Sequence, residues 1–87
     1  MYSVRLTSEA QEFYATADLP LAKKIARSLE VLEQTPSYHP NIKALKGNFA
    51  GYYRYRVGDY RVVYYITDEL EPVVTVTIIA HRSQVYE

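Results

Sequence analysis

The stretch YYRYRVGDYRVVYYIT, Tyr52 to Thr67, alternates side chains on either side of one Gly-Asp pair. A period of two carried by β-branched and aromatic residues specifies strands, and helix is a poor alternative. Val57-Gly58-Asp59-Tyr60 suits a two-residue hairpin, because glycine at the first turn position supplies the positive φ of a type II′ turn. That turn fixes the register: Arg56 opposes Arg61, Arg54 opposes Val63 and Tyr52 opposes Tyr65, all on one face. The other face receives Tyr53, Tyr55 and Val57 paired with Tyr64, Val62 and Tyr60. This second set is apolar, so helices are expected to cover it.

The rest of the chain supplies those helices. Tyr2, Val4 and Leu6 alternate as a short strand, after which Thr7 or Ser8 can cap a helix with Ala10, Phe13, Tyr14 and Ala17 at helical spacing. Asp18 can cap a second helix, where Pro20 is tolerated in the first turn. Leu21, Ala22, Ile25, Leu29 and Leu32 form its inner face; Lys23, Lys24, Arg27 and Glu30 point outward. Pro36 ends it near Gln34 by biasing Thr35 out of the helical region. Thr35 to Asn41 reads as a loop leading to the short segment Ile42 to Gly47, and after the hairpin a polar break, Asp68 to Pro72, precedes a last strand, Val73 to Ala80. The order β-α-α-β-β-β predicts one α+β domain over residues 1–87: an antiparallel sheet with a helical hairpin on one face and its other face partly open.

Composition narrows the function classes. With 87 residues there is room for one core, burying about 60 to 65% of the surface that the unfolded chain exposes. Cysteine is absent, so neither a disulfide framework nor a thiolate site is available. No apolar run approaches the roughly 20 residues of a membrane span, and Met1 to Arg5 lacks a signal peptide's apolar region, so a cytoplasmic protein is expected. The net charge is zero, but Lys43, Lys46, Arg54, Arg56 and Arg61 cluster where Asp59 is the only acid, whereas Glu9, Glu12, Asp18, Glu30 and Glu33 all precede them. Such an asymmetry permits a local anion site and argues against a broad nucleic-acid surface.

Two arginines directly opposed across a ladder repel by roughly 0.2 to 1 kcal/mol, so something must favour them. Structural ion pairs with Glu69, Glu71 or the C-terminal carboxylate are one explanation. An anion site is the other, since two guanidinium forks converging on a small area suit a phosphate. The chain's end adds HRSQVY, in which His81, Arg82 and Tyr86 follow directly on the last strand. A phosphodiester can be cut without metal when a base takes the 2′-hydroxyl proton, an acid serves the leaving oxygen and cations stabilise the phosphorane. His81 is the natural proton carrier, while Tyr52, Tyr65 and Tyr86 offer faces for stacking a base. His39, alone beside Pro40, gives a metal site little support, and neither a phosphate-binding glycine loop nor a serine triad is present, so no cofactor is expected.

The segments LKG at Leu45 to Gly47, YRYRVGDYRVVY at Tyr53 to Tyr64 and HRSQVY at His81 to Tyr86 resemble the RelE toxins of bacterial and archaeal toxin–antitoxin systems. The similarity covers nearly the whole chain. It implies a ribosome-dependent messenger-RNA interferase that cleaves the A-site codon by 2′-hydroxyl attack, is neutralised by a cognate antitoxin and meets operator DNA only through that antitoxin. On this resemblance Arg61 contacts the scissile phosphate, and Arg82 and Tyr86 match the terminal motif's arginine and its stacking or proton-transferring tyrosine. Arg54 and Arg56 stand where members often carry lysines. Arginine keeps its proton, so here the two stabilise charge. Either His81 or Tyr86 is then the base, and Lys43 and Lys46 contact the RNA backbone. The chain departs from the family in being neutral where RelE toxins are usually basic. The related ParE toxins, which share the scaffold and inhibit DNA gyrase by binding, are the alternative, as is a module that only docks its antitoxin.

Overall fold

The computed structural model describes residues 1–68 and 70–85. Strand β1 (Ser3–Leu6) leads into helices α1 (Ser8–Thr16) and α2 (Leu19–Gln34), followed by strands β2 (Ile42–Ala44), β3 (Tyr53–Val57), β4 (Tyr60–Asp68) and β5 (Pro72–His81). Single 3₁₀ turns occupy Gly47–Phe49 and Arg82–Gln84.

Local chemistry sets the helix starts. Thr7 Oγ1 accepts from the Ala10 amide at 3.3 Å and donates to the Thr77 carbonyl at 3.1 Å, so the residue that caps α1 also fastens it to β5. Asp18 Oδ1 accepts from the Leu21 amide at 3.0 Å and caps α2, with Pro20 inside the first turn. Each cap contributes about 1 kcal/mol.

The sheet runs β1-β5-β4-β3-β2. Its central hairpin has the register that the turn dictates, from Val57 opposite Tyr60 through Arg56 opposite Arg61 to Tyr53 opposite Tyr64. Gly58 has φ +58 and no other residue type has positive φ among the described residues, which is the pattern of a type II′ turn. The α+β layout stands as the sequence implies, with two additions. Ile42–Ala44 pairs with β3 as a fifth strand, and β1 joins the sheet parallel to β5 while the other pairings are antiparallel. A parallel pair needs a long crossover, and much of the chain between β1 and β5, helices included, provides it. Between Val63 and Tyr64 the β4–β5 register shifts by a bulge that leaves Thr77 as the extra residue.

The core lies between the helices and one sheet face. Ala10, Ile25 and Leu32 pack against Tyr55, Val57, Val62, Tyr64, Val74, Val76 and Ile79. Tyr53 and Tyr60 border this cluster half-buried, while Val63, on the opposite face, is itself fully buried. Tyr64 is the largest side chain with no exposure, stacked on Tyr53 with centroids 5.7 Å apart, and its hydroxyl donates to the Pro36 carbonyl at 2.6 Å. That bond ties the loop after α2 to the sheet centre.

The Tyr64 contacts and the Gly58 backbone each set measurable outcomes. Tyr64→Phe removes the donor that satisfies Pro36 and should cost about 1 to 3 kcal/mol in urea unfolding. Burial also holds the Tyr64 phenol protonated well above its ordinary value of 10.0. The unfolded chain therefore releases that proton first as pH rises, so stability present below about pH 10 is lost above it, and the loss should be shallower in Tyr64→Phe. Gly58→Ala meets no atom within 4 Å, so its cost is backbone strain alone, about 1 to 2 kcal/mol, with Gly58→Asn falling below that in the same measurement.

Candidate anion site at the hairpin turn

The β3–β4 turn presents three successive carbonyls, and each accepts a hydrogen bond from a candidate arginine. Arg61 Nη1 donates to the Gly58 and Tyr60 carbonyls, both at 3.0 Å. The backbone amide of Arg82 donates to the Asp59 carbonyl at 2.7 Å. The turn thus fixes the start of the terminal motif beside the start of β4. Asp59 also reaches toward Arg82 with its side chain, Oδ1 lying 3.9 Å from Nε, but both groups are well exposed and such a pair adds little.

Arg61 differs from the open placement that alternation suggests. Only 8% of it is exposed, and its guanidinium folds back over the turn. The physical reason is the turn itself: outward-tilted carbonyls offer a fixed acceptor pair, which a planar fork of donors matches. Arg56, directly opposite, is exposed, and among the described residues no carboxylate pairs with it; Glu71 forms no such pair, while Glu69 and the C-terminal carboxylate lie outside the described residues. Arg54 is half-buried, with Nη1 donating to the Asn41 carbonyl at 2.6 Å. Lys43 stands opposite Arg54 on β2 and is exposed, as is Lys46 just beyond that strand. Arg54, Arg56, Arg61 and Lys43 therefore share one face, which runs from the turn toward the β2 edge.

His81 does not join that face. It pairs with Tyr60, and cross-strand partners point the same way, so its ring lies on the helix side while Ala80 stands opposite Arg61. The imidazole packs edge-on to Tyr60 at 5.5 Å, and Tyr60 packs in turn against Phe13 at 5.8 Å. Nδ1 accepts from the Ser83 amide at 3.2 Å and contacts Ser83 Oγ at 2.9 Å. An amide can only donate, so the neutral ring carries its proton on Nε2. Ser83 was not among the residues that sequence reasoning singled out. Its position two residues beyond a histidine, where an Asx-like turn closes, is the signal that would have found it.

The aromatic platforms also separate. Tyr52 and Tyr65 meet at 5.6 Å, and Tyr52 meets Phe49 at 6.1 Å, both edge-on. They lie four residues along the strands from the Arg56–Arg61 pair, about 13 Å at strand rise. Tyr86 lies outside the described residues. Among the described residues no three His, Cys, Asp or Glu side chains gather as metal ligands would.

Comparison with known proteins agrees with this geometry at the level of family. Solved structures with the same fold include the YoeB/ParE toxin from Agrobacterium tumefaciens, with 23% identity, a TM-score of 0.79 and coverage of 91% of this chain and 96% of that one. The RelBE2 toxin–antitoxin complex from Mycobacterium tuberculosis matches with 27% identity, a TM-score of 0.78 and coverage of 93% and 98%. The archaeal RelE–RelB complex from Pyrococcus horikoshii OT3 matches with 21% identity, a TM-score of 0.79 and coverage of 97% and 98%. No curated protein matches the sequence. The family model of the ParE toxin of type II toxin–antitoxin systems, parDE, matches residues 4–86, and the chain belongs to that family, within the RelE/ParE superfamily of toxins.

Proposed function

We propose that this toxin is a ribosome-dependent endoribonuclease that cleaves messenger RNA in the A site and so arrests translation. The observation that supports this most is the turn-centred assembly of arginines: Arg56 exposed opposite Arg61, with Arg82 fixed to the same turn through Asp59. In the proposed reaction the 2′-hydroxyl oxygen attacks the adjacent phosphorus, the bond to the 5′-oxygen breaks, and a 2′,3′-cyclic phosphate forms. One proton leaves the 2′-hydroxyl and one reaches the departing oxygen. Arg61, Arg56 and Arg82 stabilise the charge of the phosphorane, and Arg54, Lys43 and Lys46 hold the flanking backbone.

The Ser83 contact limits the part His81 takes in this reading. With Nδ1 accepting from Ser83, His81 presents Nε2–H to the substrate: as the imidazolium it can give that proton to the leaving oxygen, and as the neutral ring it can only hydrogen-bond a non-bridging one. The base in this reading is then Tyr86, the other of the two residues that the resemblance to RelE toxins leaves for that role. No metal or cofactor takes part in this reading. A cognate antitoxin is the proposed regulator, with operator DNA reached only through it, and ribosome and mRNA make the cytoplasm the place of action.

A second reading draws on the family model's own description, a ParE toxin, and on the burial of Arg61. In it the chain inhibits DNA gyrase by binding and cuts nothing.

In a purified translation system Arg61→Ala or Arg82→Ala should each lower A-site cleavage by about a hundredfold or more. Equal cutting by wild type and both variants refutes the ribonuclease reading, and loss of gyrase supercoiling without translation arrest installs the second. His81→Gln, which keeps a donor near Nε2, should retain more cleavage than His81→Ala, itself down about a hundredfold. Equal loss in the two would make His81 a proton-transferring group instead of a hydrogen-bond donor.

A further inference from the structure

His39, Pro40, Asn41 and Ile42 make a turn that leads into β2. The Ile42 amide donates to the His39 carbonyl at 2.9 Å, Pro40 takes the second position and Asn41 has no positive φ, which together describe a type I turn. Asp, Asn and Ser favour the first position of such turns because a side-chain oxygen there accepts from the amide two residues on. Here a histidine takes that part, with His39 Nδ1 accepting from the Asn41 amide at 3.0 Å. His39 therefore holds Asn41 twice: its ring takes the Asn41 amide, and its carbonyl takes the amide of the peptide plane that also carries the Asn41 carbonyl.

That carbonyl is where the turn meets the candidate anion site. It accepts from the Arg56 amide at 2.9 Å, which extends the β2–β3 ladder by one step, and from Arg54 Nη1 at 2.6 Å. The His39 ring lies against Tyr55 with centroids 5.2 Å apart, hence on the helix side, whereas Arg54 belongs to the open face. The histidine thus reaches the Asn41 backbone from behind the sheet and the arginine reaches it from the front. A guanidinium is planar and rigid, so fixing Nη1 at a carbonyl sets the direction of the whole plane. A carbonyl that shifts turns the fork with it.

We propose that His39 is a positioning residue for the anion site, acting on Arg54 through the Asn41 carbonyl. The holding rests on the turn's own hydrogen bonds; the use made of the held arginine, gripping RNA backbone beside the scissile phosphate, rests on the ribonuclease reading. An arginine already fixed in direction loses less conformational freedom when a phosphate arrives. The ring's packing on Tyr55 cannot supply this, because it bears on the core side and only Nδ1 receives the Asn41 amide. The loop histidine thereby gains a part in the site although it stands on the other side of the sheet.

Two substitutions separate the ring's two contacts. His39→Asn keeps an acceptor for the Asn41 amide and gives up the ring; His39→Phe keeps a ring for Tyr55 and gives up the acceptor. In the full chain, solvent exchange of the Arg54 guanidinium protons, followed by NMR, should quicken about tenfold in His39→Phe and stay near the wild-type rate in His39→Asn. With programmed ribosomes as substrate, His39→Phe should raise KM about three- to tenfold at unchanged kcat, and His39→Asn should not. Adding His39→Phe to Arg54→Ala should change nothing further, because the two act through one contact. Urea unfolding of each variant ensures that folded proteins are compared. A ring with a merely structural part gives the reverse order, Phe tolerated and Asn impaired, and that result overturns the proposal. So does a KM effect that adds in full to that of Arg54→Ala, or an Arg54 exchange rate indifferent to both substitutions. If the wild type cuts nothing, the ribonuclease reading fails, and the exchange measurement still decides the positioning.

Discussion

The backbone of Gly58 sits in a conformation that other residues adopt only at a cost, and much of the molecule's organisation depends on that one dihedral. A two-residue turn at this place permits a single register, and because side chains alternate, the register decides which residues meet the helices and which meet solvent. Shifting it by one residue would put Arg54, Arg56 and Arg61 into the core and Tyr55, Val57, Val62 and Tyr64 outside it. The same turn exposes the carbonyls that bind Arg61 and Arg82. Scaffold and candidate site are therefore specified by one element.

That coupling explains how like charges are tolerated side by side. Arg56 and Arg61 oppose each other, yet they lie in different environments: one extends into solvent, and the other donates to two carbonyls, whose partial negative charge offsets its own. The repulsion expected of a simple cross-strand pair is thus reduced by the turn's own carbonyls. A neutral chain can in this way keep a locally basic face, with half of its ten acids on the helices or at the start of the second one.

The hairpin, both helix caps and the identity of the core were legible in the sequence because each rests on short-range rules. Alternation, a Gly-Asp turn, Thr7, Asp18 and Pro36 act within a few residues of themselves. What escaped was long-range or geometric. Strand β2 has three residues, too few to show a period, and exists because β3 offers an edge. The parallel seat of β1 depends on a partner some 70 residues away. Arg61's burial and His81's position behind the sheet come from the turn's carbonyls and from a pairing with Tyr60 that counting along HRSQVY does not reveal. The terminal motif suggested one cluster with the arginine face, whereas strand parity turns His81 to the helix side, away from Arg56 and Arg61.

The pairing of β1 with β5 has a consequence in time as well as in space. β1 is laid against β5, and β5 is also flanked by β4, so the earliest strand described joins the sheet only through an interior strand made much later. Contacts of such high sequence separation form slowly and close large loops. On a ribosome β1 and α1 emerge well before β5, the strand against which both mainly pack. Completion of the fold therefore waits until β5 has been made, which gives a co-translated binding partner an interval in which to arrive first.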